Sequence, residues 1–156
     1  MKKIILPFLV LIISFLSSNE IFSQSPTSMM DIISTVNTKV SDLEEKQNME
    51  VVNLTMDLLV NNGEKTIWRF LDPAFKYDAV VLGDRRISKL TIRIYKKGVS
   101  DWEFVDSLSS GKPQLRIEPE QYGQYQFTIS VNEFNPGDNT GHFALVLYHK
   151  NPLRDN

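Results

Sequence analysis

The sequence predicts an all-β fold: an antiparallel β-sandwich of about eight strands, set behind one N-terminal amphipathic helix and a cleavable signal peptide. Three observations carry this. Apolar residues recur with a period of two over most of the stretch from Val51 to His149, the spacing of strands with one buried face. Turn residues break these runs at the roughly 8 to 12 residue spacing of sandwiches and barrels. No strand–helix alternation and no Gly-rich phosphate loop is present, which argues against a parallel nucleotide-binding sheet.

The elements follow in order. Lys2 and Lys3, the apolar run Ile4 to Leu16, and then Ser17, Ser18 and Asn19 have the charged, apolar and polar order of a secretory leader. The run is too short for a helix that must cross about 30 Å of hydrocarbon. Small Ser23 places the cut just before or after Gln24, with Ser17 or Ser18 as an earlier alternative. The chain has no Cys, so the thiol that a lipoprotein acylates is missing, and no stable membrane anchor is expected. Residues 1–24 are thus read as leader, 25–48 as helix, 49–150 as sandwich and 151–156 as a tail.

In the helix, Met29, Ile32, Ile33, Val36, Val40 and Leu43 recur at intervals of three and four, after a start signal at Pro26 with Thr27 or Ser28. The stripe is expected to pack on its own domain; the rival is an arm that docks on a partner. Val52, Leu54, Met56, Leu58 and Val60 then alternate with Asn53, Thr55, Asp57 and Leu59, which predicts a strand with the first set in the core. Asn61, Asn62 and Gly63 predict a hairpin into Lys65 to Leu71. Tyr77 to Leu82 forms a third run. Leu90, Ile92 and Ile94 point inward from the next, opposite Lys89, Thr91, Arg93, Tyr95 and Lys97. Trp102 to Val105, Leu115 with Ile117, and Tyr125, Phe127, Ile129 and Val131 supply three more. Phe143 to Tyr148 is apolar on both faces and is expected at the centre of a sheet.

Composition narrows the chemistry. Without the first 24 residues, the remaining 132 carry 15 basic and 18 acidic side chains, a net of −3, which offers no attraction to nucleic acid. Disulfides and thiolate chemistry are excluded by the missing Cys. His142 and His149 are the only imidazoles and stand seven apart, so a regular strand points them to opposite faces. No serine elbow is present. Carboxylates are many, from Asp72 to Asp138, but no spacing singles out a pair. No cofactor is expected. The loop Asn135 to Gly141 offers weak calcium ligands in Asn135, Asp138 and Asn139; the same residues are those of a plain turn.

Between Val80 and His149, Gly83 and Asp84 follow a hydrophobic strand, Lys97–Gly98 turns the chain, Gly123-x-Tyr125 opens a long strand, and Gly141-x-Phe143-Ala144 stands in the last. In these features the stretch resembles the bacterial pre-peptidase C-terminal domain. The resemblance implies a small jelly-roll-like sandwich of exported proteins that binds or assists rather than catalyses. Arg85, Arg86, Ser88, Lys89 and Arg93 stand where the family often carries calcium-binding acids.

The candidate ligand-binding face is therefore Arg85, Arg86, Lys89, Arg93, Tyr95, Lys97 and Trp102, with Trp68 as a second possible sugar platform. Its expected partner is an anionic glycan or an acidic protein. The plain alternative is a solvated face balanced by Asp101, Glu103 and Asp106 on the next strand. The expected function is an exported, non-catalytic binding or accessory module, periplasmic or extracellular. A structural protein docking on an envelope partner through its helix and adjacent strand is the alternative; a small hydrolase is the third. N-terminal sequencing of the exported protein is expected to begin at Gln24 or Ser25, and an intact mass that retains the leader would refute this processing.

Overall fold

The computed structural model describes residues 28–153. The leader expected at residues 1–24 and the start signal at Pro26 and Thr27 lie outside them. In chain order come helix α1 (Ser28–Ser41), a π-helical turn (Asp42–Lys46), and strands β1 (Met49–Val60), β2 (Glu64–Leu71), β3 (Tyr77–Gly83), β4 (Ile87–Lys97), β5 (Trp102–Ser110), β6 (Gln114–Ile117), β7 (Gly123–Phe134) and β8 (Thr140–Lys150). They form two antiparallel sheets of four strands: sheet A in the order β1-β8-β3-β6 and sheet B in the order β2-β7-β4-β5. This is the expected β-sandwich.

Two apolar layers hold it together. Between the sheets, Leu90, Ile92 and Ile94 of β4 and Phe127 and Ile129 of β7 meet Phe143, Leu145 and Leu147 of β8 and Val81 of β3. Outside sheet A, Ile32 and Val36 of α1, with Leu43 of the π-helical turn, are buried against Val80, Leu82, Ala144, Val146 and Tyr148. A helix of 14 residues is marginal alone; each of these three side chains contributes about 1.5–3 kcal/mol when buried. The Asp31 carboxylate also accepts the Arg85 backbone N–H at 2.8 Å, tying the first turn of α1 to the β3–β4 loop. The helix therefore packs on its own domain through Ile32, Val36 and Leu43, with Val40 against them, while Met29 of the same stripe stays exposed.

Two expectations fail here. Asn61 to Gly63 does turn the chain, with Asn62 at φ 59°, but it closes no hairpin. It carries the chain from sheet A to sheet B, where β2 pairs with β7 while β1 pairs with β8. The second failure concerns which side of β1 is inside. Leu54, Met56 and Leu58 pair with Val146, Ala144 and His142, whereas Asn53, Thr55 and Leu59 pair with the inward Leu147, Leu145 and Gly141. The apolar row Val52 to Val60 thus lies on the outer face, not in the core. At this edge polar bridges close the sandwich: Lys65 to Asp57 at 2.8 Å and Arg69 to the Thr55 hydroxyl at 3.2 Å. Lys65, with the Leu58 N–H, holds the Asp57 carboxyl below its ordinary range.

Residues that carry the family resemblance prove to be structural. The carboxylate of Asp84 is buried and accepts the Arg86 N–H at 2.9 Å and the His142 N–H at 2.7 Å, joining the β3–β4 loop to the start of β8. Ile87 fills the space beneath. A Cβ on Gly141 would stand 2.6 Å from Ile87 Cγ1 and 2.9 Å from Asp84 Oδ1, closer than packed carbons tolerate. Gly141→Ala is expected to lose about 1–3 kcal/mol in urea unfolding. Combined with Ile87→Ala, the loss should fall short of the sum of the single changes; strict additivity would refute the close approach.

Candidate ligand-binding face of sheet B

The outer face of sheet B carries no helix, and its residues are ordered by register. One row across the four strands is Trp68, Gln126, Tyr95 and Phe104; the next is Thr66, Thr128, Arg93 and Ser107. Beyond them lie Glu64, Ser130, Thr91 and Ser109 on one side, and Phe70 with Gln124 and Lys97 with Trp102 on the other. The face is thus divided, with hydroxyls at one end and aromatic rings interleaved with amides at the other.

The aromatic end is open to solvent. Trp68 is 50% exposed, Phe70 60%, Phe104 62% and Tyr122 64%. Phe70 and Tyr122 stack at 5.5 Å with 12° between planes, and Tyr95 meets Phe104 edge-on at 5.8 Å. The rings are held in place by polar neighbours: the Trp68 indole N–H donates to Gln126 Oε1 at 3.3 Å, and Gln126 Nε2 donates to the Thr128 hydroxyl at 3.2 Å. Lys97 Nζ lies 5.4 Å above the Trp102 ring, a cation–π contact. Strands stand about 4.8 Å apart, so Trp68 and Tyr95, two strands apart, are separated by roughly 9.6 Å with an amide between them.

The seven residues expected from the sequence divide among three places. Arg93, Tyr95, Lys97 and Trp102 are on this face. Lys89 is exposed at the beginning of β4, opposite Glu133. Arg85 and Arg86 lie in the β3–β4 loop instead, where their backbone carbonyls hold Asn135 through its side-chain and main-chain N–H groups. The expected charge balance also differs. Arg93 pairs with Glu64 of β2, while Asp101 and Asp106 accept the N–H groups of their own successors, Trp102 and Ser107. Asn135 is spent on the β3–β4 loop, and among the described residues no group of three or more His, Asp or Glu could hold a metal ion.

Phe70, Phe104, Tyr122, Gln124 and Gln126 were missed. The outward parity of Gln124 and Gln126 was readable in β7, but a bulge between Ile94 and Tyr95 shifts the register of β5 and brings Phe104 beside Tyr95. The two histidines do face opposite sides. His149 stacks on Phe75 at 4.2 Å inside one end of the sandwich. His142 lies outside, with Nδ1 3.6 Å from Asp84 Oδ2. A concavity of about 510 Å³ lies away from this face between α1 and β6 and is rimmed by Lys39, Lys46 and Lys112.

No family model matches the chain, and no curated protein is significantly similar to it. Among solved structures it is similar to the Yersinia pseudotuberculosis-derived mitogen, with a TM-score of 0.47, 15% identity, and 64% of this chain and 84% of that one covered. It is also similar to tripeptidyl peptidase 2, with a TM-score of 0.46, 8% identity, and 62% of this chain against 10% of that one. A family 11 carbohydrate-binding module from Clostridium thermocellum, solved with a β-1,3-1,4-mixed-linked tetrasaccharide, gives a TM-score of 0.30, 11% identity, and 64% and 89% coverage.

Proposed function

We propose that the protein is an exported, non-catalytic module that binds a neutral glycan chain across the outer face of sheet B. The observation that carries this reading is the row Trp68, Gln126, Tyr95 and Phe104, aromatic rings with an amide between them on a rigid sheet. Sugar rings present an apolar face and a rim of hydroxyls. Exposed rings take the first, and Gln124, Gln126, Thr66 and Ser107 are placed to exchange hydrogen bonds with the second. A contiguous exposed aromatic patch with such a rim is the kind of surface that marks a binding site.

A neutral chain fits better than an anionic one. Arg93 is already paired with Glu64, and the Lys97 ammonium is engaged over Trp102, so an acidic sugar would have to displace an existing partner. Titration of neutral β-linked oligosaccharides, followed by tryptophan fluorescence and calorimetry, is expected to show saturable binding with little salt dependence. Trp68→Ala should weaken it at least tenfold, about 1.4 kcal/mol, while Arg85→Ala leaves it unchanged. Absence of binding to any neutral chain, or binding that ignores Trp68→Ala, would overturn the reading. Selective, salt-sensitive binding of uronic-acid chains would overturn its neutral half.

A further inference from the structure

The outer face of β1 has no role in the site above. Val52, Leu54, Met56, Leu58 and Val60 stand in one row, each between 39% and 48% exposed. Helical spacing places Met29 and Ile33 of α1 on the flank toward this row, opposite the Thr35 and Thr38 flank that faces the groove by β6. Exposed Met29 and Met30 extend the patch. Its apolar area is on the order of 500 Å², at the upper end of what monomers leave open.

The same strand is an edge, and it differs from the other three edges of the sandwich. β2 carries Lys65 and Arg69 and runs into Asp72 and Pro73. β6 is four residues long, bears Arg116 and lies between Pro113 and Pro119. β5 is bulged and largely polar toward its end, with Asp106, Ser107, Ser109 and Ser110. Charge, proline, bulges and shortness are the devices that stop edges from pairing. β1 is longer, with 12 residues and no Lys, Arg or Pro; its register shift lies at its start, between Val51 and Asn53, its inward Asp57 is already neutralised by Lys65, and from Asn53 to Val60 it runs in unbroken register with β8.

We infer that β1 pairs antiparallel with β1 of a second copy of this chain, about a two-fold axis at Met56. In that register Leu54 stands opposite Leu58 and Val52 opposite Val60. On the inner side Thr55 meets Asp57, so no like charges face each other. Sheet A becomes one eight-stranded sheet across the two copies. The pairing buries about 1,000 Å² over both copies, the least that a stable interface needs. Because the axis is perpendicular to the sheet, both sheet B faces look the same way, away from the two helices.

The test is oligomeric state, with an engineered thiol that reads the register. The mature chain is expected to sediment as a dimer. Leu58→Lys should raise its dissociation constant at least tenfold with an unchanged circular dichroism spectrum, since Leu58 is already exposed. Met56→Cys supplies the only thiol of the chain and puts the two sulfurs within disulfide reach. Mild oxidation should convert it to a covalent dimer on non-reducing gels, while Val99→Cys, fully exposed in the β4–β5 turn, still migrates as a monomer. A mature chain that stays monomeric at its highest soluble concentration would overturn the inference. So would a dimer indifferent to both β1 substitutions, or a monomer whose β1 is instead occupied by a different protein.

Discussion

The structure depends on β8 being apolar on both sides. Phe143, Leu145 and Leu147 must be covered from within, and Ala144, Val146 and Tyr148 from without. Sheet B satisfies the first demand and α1 the second. One strand therefore dictates a three-layer arrangement, helix on sheet on sheet, although the chain is overwhelmingly β. It also explains why the N-terminal helix stays with its own domain: releasing α1 would expose Val80, Leu82, Val146 and Tyr148 together with its own Ile32 and Val36. The burial of those side chains far exceeds the one hydrogen bond from Arg85 to Asp31 in what it contributes.

A single helix is narrower than a four-stranded sheet, and this mismatch shapes the rest of the surface. With α1 seated over β8 and β3, the flanking strands are left to solvent. On one side β6 has only Gln114 and Arg116 to expose, and Arg116 bridges to the buried Asp78 through two nitrogens at 3.1 and 3.3 Å. On the other, β1 exposes an apolar row. Sheet B meets no such demand, since its outer face never needed a cover. Its outward positions are free to carry rings, amides and hydroxyls.

Strand content and inward parity were legible in the sequence wherever one face of a strand is polar. Leu90, Ile92 and Ile94 in β4, and Tyr125, Phe127 and Ile129 in β7, are buried as their alternation implies. β1 shows what periodicity omits. A period of two says that one face is apolar, but not whether that face meets the other sheet or the outside of its own. The core-facing set of an edge strand can be polar when, as with Thr55 and Asp57, a partner across the gap supplies Arg69 and Lys65. Sheet membership was hidden for a related reason. A turn such as Asn61 to Gly63 reads the same whether it closes a ladder or hands the chain to the opposite sheet. The candidate face was half legible: Tyr95 and Arg93 follow from the parity of β4, whereas Trp68 and Phe104 join them only through the pairing of β2 with β7 and the bulge of β5. Arg85 and Arg86 misled because closeness in sequence to Arg93 was taken for closeness in space, and the β3–β4 loop carries them elsewhere.

The two exposed surfaces lie on opposite sides of the sandwich, and this separation has a consequence for binding. A flat aromatic face touches a ligand from one side only, and so retains much of the ligand's hydration and gives a modest affinity per copy. Two such faces turned the same way across a shared sheet can engage one extended polymer together. The second contact is then intramolecular, with an effective concentration in the millimolar range for closely linked sites. A long edge strand with an exposed apolar row is costly to keep in a crowded environment, because it invites aggregation. Its retention is intelligible if pairing there converts a weak flat site into an avid double one. Short oligosaccharides would then gain nothing from the dimer, and long chains would gain most.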